Sequence, residues 1–362
     1  MRKAFRSAAS VVALTLGVGV ATADDSTKGL QAGTPDVKSA GALAFGPDGV
    51  LFAADQAGGA VFALDTGDRD QPQASAPVSV EGIDSRIAAM LGTTPDEILI
   101  RDVAVNPASG KVYLSVARGR GPDAAAAIFR VGPDGEVQEF ALQDVKFARA
   151  ELAGLASSER GRQDAITDLA YVDGRVFIAG LSNEEFSSNL RSIPFPFAGE
   201  AGPGTPVEIY HGAHGRFETT SPVRTFVPYE IDGESYILAA YTCTPLVKFA
   251  VADLRPGARV KGTTIAELGN RNKPLDMIVY QKDGRPHLLL ANSSRGVMKI
   301  PTDRAGVQEG IVHRVSDKAG LAYETIEELK GVEQLDKLGE QGAVVLIRGE
   351  DGRLDLRTVD LP

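Results

Sequence analysis

The sequence predicts an all-β fold, a six-bladed β-propeller. Two observations carry it: a strand–turn–strand unit that recurs six times, and the near absence of helical periodicity between the copies. Each copy has a short apolar strand, a tight turn with glycine, a second apolar strand and a more alternating third. The copies begin at Ala42-Leu43-Ala44-Phe45, Val103-Ala104-Val105, Leu169-Ala170-Tyr171, Phe226-Val227-Pro228-Tyr229, Met277-Ile278-Val279-Tyr280 and Leu335-Asp336-Lys337-Leu338. Their turn glycines are Gly49, Gly110, Gly174, Gly233, Gly284 and Gly342, at near-regular intervals. Radial repetition of small sheets is the architecture that such units build.

Each second strand is a continuous apolar run, as in Val50-Leu51-Phe52-Ala53-Ala54 and Leu288-Leu289-Leu290-Ala291, which implies a sheet covered on both faces. Third strands are expected at 60–64, 127–131, 246–249 and 296–300, and fourth strands at 207–210 and 263–268. The sixth unit ends with its third strand at 354–359, so its outer strand is expected from residues near 28–38, an N-terminal strand that closes the ring. A helix over 325–338 is the competing local reading. Residues 181–206 look like a long insertion suited to a lid.

The chain has 362 residues, 43% hydrophobic and 24% charged, with one Cys, no Trp and a formal charge of −10. That balance disfavours nucleic acid, whose phosphates demand a basic surface. Arg2, Lys3 and Arg6 precede an apolar run over 8–20 and Ala21-Thr22-Ala23, the pattern of a cleaved secretory signal over residues 1–23. Residues 24–362 then form a single propeller domain, periplasmic or secreted, with no membrane span, since no later stretch approaches the roughly 20 apolar residues required. One cysteine makes no internal disulfide, so stability must come from packing.

In a propeller, the second-to-third strand loops and the loops leading into each first strand open on one face, around the axis. Arg101, Arg118, Asn183, Glu184, Arg271, Asn292 and Arg295 fall on such loops and are candidate ligand-binding residues in one polar funnel. His211, His214 and Cys243 are candidate zinc or copper ligands, because imidazole nitrogen and thiolate suit borderline cations. Asp55, with Asn183, Glu184 and Asn292, offers oxygen ligands for a calcium-like ion. Asp102, Asp168 and Asp276 recur just before first strands, where carboxylates bond backbone N–H groups.

The units at 42–55 and 103–113 resemble blades of the NHL and gluconolactonase/paraoxonase-like propellers. That resemblance implies a six-bladed fold and either a metal-dependent lactonase with Glu, Asn and Asp ligands at the axis or a binding propeller without catalysis. The family's Asn or Asp ligand aligns with Gly41, Arg101, Thr167 and Leu275; the repeated Asp residues fall one position later, an offset expected to turn them off the axis. The sequence has no Cys-x-x-Cys-His, Gly-x-Ser-x-Gly, His-Glu-x-x-His or phosphate-loop motif. Three readings follow: an exported propeller binding a small polar ligand or an exported protein partner; a metal-dependent lactonase or esterase-like hydrolase; and a copper or zinc redox protein.

Overall fold

A computed structural model describes residues 27–69, 77–121, 123–243 and 245–362. The expected signal segment lies outside the described residues. Six sheets, antiparallel except where Val260–Lys261 runs parallel to Thr205–His211, surround one axis, and each is a blade. Numbered by first strand along the chain, the innermost strands are Leu43–Phe45, Ile98–Val105, Asp168–Val172, Val223–Ile231, Pro274–Lys282 and Val332–Leu338. Asp-Gly turns join first to second strands in blades 3, 4 and 5: Asp173, Asp232 and Asp283 have φ of 49°, 52° and 51°, and the glycines after them are also positive. Two consecutive left-handed residues match the right-handed twist of a hairpin, and Asp-Gly reaches that conformation at low cost.

The second strands are the molecular core. Every residue of Val50–Asp55 is buried, and Leu288, Leu289, Leu290 and Ala291 are fully so. Apolar clusters bridge neighbouring blades and define their order. One joins Phe52 and Ala54 of blade 1 to Leu169 and Ile178 of blade 3; another joins Leu51 and Phe62 of blade 1 to Ala104 and Tyr113 of blade 2. A third joins Val103 and Leu114 of blade 2 to Leu346 and Leu356 of blade 6, and includes Ile83 and Ile87 of the helix Ile83–Met90. Around the axis the blades therefore run 1, 2, 6, 5, 4, 3.

Two blades are composite in their fourth strand. Blade 1 takes its fourth strand, Val145–Glu151, from the chain that has just finished blade 2, and Gln31–Gly33 adds an outer rung to it. Blade 6 is completed by Ser79–Val80, which pairs with Leu356 and Arg357. The closing strand thus comes from the N-terminal side as expected, but it is Ser79–Val80 and not residues near 28–38.

Two further expectations change. Ser188–Pro194 is the third strand of blade 3, paired along its length with Arg175–Leu181, so 181–206 is not a lid. Over 325–338 the chain forms the strand end Glu324–Ile326, a 3-10 turn at Glu327–Leu329 and the first strand of blade 6, in place of a helix.

Candidate ligand-binding site

An axial cavity of about 310 Å³ opens where the chain enters the first strands, and all six blades line it. In blades 2, 4, 5 and 6 the first strand carries an irregularity at the same level, leaving Arg101, Arg224, Leu275 and Glu333 unpaired between their neighbours. A bulge re-aims the extra side chain. As a result, both the bulged position and the next one face the axis in blades 2, 4 and 5: Arg101 with Asp102, Arg224 with Thr225, Leu275 with Asp276. The offset expected to turn Asp102, Asp168 and Asp276 off the axis does not do so; all three line the cavity.

The aspartates also tie blades together, as their repetition suggested. Each accepts its neighbour's N–H in its own strand and a second N–H from the next blade: Asp102 from Leu43 at 2.6 Å, Asp168 from Phe226 at 2.7 Å, Asp276 from Leu335 at 2.8 Å. Asp336 does the same for Val105 at 2.7 Å. Between blades 1 and 3 the link is Gln56, whose side-chain N–H donates to the Ile166 carbonyl at 2.7 Å.

Asp102, Asp168 and Asp276 touch the cavity, Asp336 sits two residues further along its strand, and all four are partly buried. Burial raises Asp168 to about 7 and Asp336 to about 6, against the pull of their backbone hydrogen bonds. Asp102 and Asp276 are pushed well above the ordinary carboxylate range, first by burial and then by the other aspartates of the ring.

Above this acidic floor stand cations. Arg224 is held by Asp164 at 2.6 Å. Lys273 is lowered by burial and by the charge of Arg224, with Asp164 opposing. Arg101 is lowered by burial, and its Nε is buried with no hydrogen-bond partner. A buried N–H without an acceptor is costly, so Arg101 presents the cavity with an unsatisfied donor suited to an anion.

Of the ligand-binding and metal-ligand candidates named from sequence, Arg101 lies in the cavity and the others do not. Arg118, Asn183, Glu184 and Arg271 are exposed loop or strand-end residues. Asn292 is buried in the blade 5 turn, donating to Asn272 and accepting the N–H groups of Ser294 and Arg295. Arg295 bridges to Asn270 and Asp317. Asp55 accepts from the N–H groups of Lys38, Ser39 and Gly58 and from the Ser39 hydroxyl, which accounts for both its oxygens. Its neighbours in the calcium-like set belong to blades 3 and 5. His211 and His214 come together with Glu218; Cys243, a free and partly buried thiol whose N–H donates to Asn272, is not a member of that group. Sequence reasoning missed Arg224 as a cavity residue and Asp336 as a tie between blades. Arg224 precedes Thr225, not Asp, and Asp336 lies two residues beyond the level of the other aspartates, where Gln334 faces the cavity.

No family model and no curated protein matches the chain. Among solved structures it is similar to extracellular domains 1–2 of Drosophila Semaphorin 1b, at 10% identity, 92% of this chain, 87% of that chain and a TM-score of 0.40. It is also similar to a 6-phosphogluconolactonase-like protein from Bacteroides uniformis, at 13% identity, 87% and 75% coverage and a TM-score of 0.37. A third likeness is to the PQQ-bound form of aldose sugar dehydrogenase from Streptomyces coelicolor, at 13% identity, 91% and 96% coverage and a TM-score of 0.37. The chain itself is a six-bladed β-propeller.

Proposed function

We propose that this chain is an exported propeller that binds a small hydroxylated organic anion in its axial cavity. The observation that carries the reading is Arg101: a half-buried guanidinium with an unpartnered Nε, directed by a bulge into a cavity of small-molecule size. An anionic head on the ligand would satisfy Arg101 and Lys273. The acidic floor repels that head and favours hydroxyl groups, which donate to an ionised aspartate or accept from a protonated one. The ligand is thereby oriented by charge, acid end outward. Export is supported by the basic, apolar and Ala-x-Ala pattern at the N-terminus. No helix among the described residues is long and apolar enough to cross a membrane.

The test is a thermal-shift screen of sugar acids, neutral polyols and inorganic phosphate, followed by calorimetry on any hit with wild type and Arg101→Gln. Hydroxylated acids should bind, and the variant should bind at least tenfold more weakly. Equal affinity in the variant, or a preference for neutral polyols, would overturn the reading.

A further inference from the structure

A second constellation sits on the hairpin that leaves blade 3. Thr205–His211 and Arg216–Glu218 run antiparallel, with His211 opposite Arg216 and Ile209 opposite Glu218. Alternate positions share a sheet face, so His211 and Glu218 are diagonal neighbours on one side. The turn between them contains Gly215 at φ 67° and lays His214 over His211, with ring centroids 3.9 Å apart. Glu218 spans the pair: one carboxylate oxygen is 3.0 Å from His211 Nδ1 and the other 2.6 Å from His214 Nδ1. One donor atom from each of the three side chains lies within 4.8 Å of the other two.

Hydrogen bonding within the trio accounts for the Nδ1 atoms but not for the rest of His211. That ring is 3% exposed, and its Nε2 is buried with no partner. Both Nδ1 atoms face the Glu218 carboxylate, so Nδ1 is the atom each ring would offer to an ion held there, with the ring proton on Nε2.

We propose that His211, His214 and Glu218 form a binding site for one zinc(II) ion. Zinc bonds to nitrogen and oxygen of about 2.0–2.2 Å at tetrahedral angles place donors roughly 3.4 Å apart, so the Glu218 contacts to His211 at 3.0 Å and His214 at 2.6 Å would widen slightly to admit the ion. Two imidazoles and a carboxylate leave the fourth position open, on the side where His214 is 47% exposed. Ser221, whose hydroxyl donates to Glu218 at 2.7 Å, orients the carboxylate from outside. Arg216 lies 3.3 Å from the other carboxylate oxygen but its side chain is 72% exposed, so it can withdraw as the ion enters. Glu267, buried beneath the turn and accepting the Gly212 N–H at 2.5 Å, fixes the loop and places a further acidic group below it. Cys243 takes no part.

The test is equilibrium dialysis of the full chain against zinc, with copper and calcium in parallel, read by elemental analysis. The variants are His214→Ala, Glu218→Gln and Cys243→Ser. His214 is exposed, so its replacement separates metal binding from folding, which melting curves check. Wild type and Cys243→Ser should retain one zinc per chain, and His214→Ala should weaken binding at least 100-fold with an unchanged melting profile. Cobalt substitution should give visible bands without a thiolate charge-transfer band. Less than a tenth of an equivalent of zinc on wild type at micromolar free metal, full retention by His214→Ala, loss in Cys243→Ser, or preference for calcium would each overturn the assignment.

Discussion

The carboxylate of Asp102 accepts the backbone N–H of Leu43 at 2.6 Å and that of Val103 at 2.8 Å, so one side chain stitches blade 2 to blade 1 at the wall of the axial cavity. Asp102→Ala strands both donors. Leaving a buried donor unpaired costs about 1–3 kcal/mol, and relief of the desolvated carboxylate offsets part of it, so urea denaturation should show a loss of roughly 2 kcal/mol. No loss would mean that water replaces the carboxylate.

Stability should depend on pH through the same ring. Asp168 and Asp336 have folded-state pKa values raised to about 7 and about 6, so the folded chain holds protons that the unfolded chain has released. Their contribution is fully present below the ordinary aspartate range and is lost as pH rises through 6 and 7. Glu218, held at about 2, acts in the opposite sense: its contribution is present above the ordinary glutamate range and lost as pH falls toward 2. Melting temperature should therefore fall between pH 5 and pH 8, and Asp168→Asn should flatten that slope without changing the acid limb.

Arg101→Gln should leave folding intact or improve it slightly, because the guanidinium makes no compensating ion pair among the described residues and its burial is unfavourable. The change in denaturation midpoint should stay within about 0.5 kcal/mol of wild type or on the stabilising side. A substantial destabilisation would show that Arg101 is structural.

Two glycines of blade 3 should behave differently. At Gly174, φ is 74° and a methyl group meets nothing, so Gly174→Ala carries only the left-handed backbone cost of about 1 kcal/mol. At Gly180 a methyl group would lie 2.0 Å from the Ala165 carbonyl oxygen, and the neighbouring Ile166 and Thr167 line the axial cavity. Gly180→Ala should destabilise more and weaken axial ligand binding as well, which calorimetry on the two variants will compare.

Val80 is 1% exposed and pairs with Leu356 in the outer rung of blade 6. Val80→Asp buries a charge at that clasp and should cost at least about 3 kcal/mol. Hydrogen exchange should then accelerate first over Leu354–Asp360.

First and second strands were readable because Asp-Gly turns stand between apolar runs, and a turn of that kind fixes the hairpin register. The third strand of blade 3 was not, since Ser188-Asn189-Leu190-Arg191-Ser192-Ile193-Pro194 hides two apolar residues among polar ones that are themselves buried, Asn189 at 3% and Arg191 at 6%. Blade order was also hidden. Val145–Glu151 alternates like any outer strand, and nothing in its composition says that it returns to blade 1. Arg101 was legible because it stands before the apolar run 103–105, beside one of the repeated aspartates; Arg224 sits at the same bulged level but precedes Thr225, so the repeat did not mark it. Glu218 escaped notice as a partner of His211 because its place beside the histidines depends on the hairpin pairing.

The composite blades forbid assembly in step with synthesis. Blade 1 waits for Val145–Glu151, and Ser79–Val80 waits for Leu356 and Arg357, near the far end of the chain. Such distant pairings are slow to form and leave sheet edges open meanwhile. The toroid can lock only after its last rung has been made, so a chain lacking 354–362 would have two raw edges facing each other across an unsealed gap.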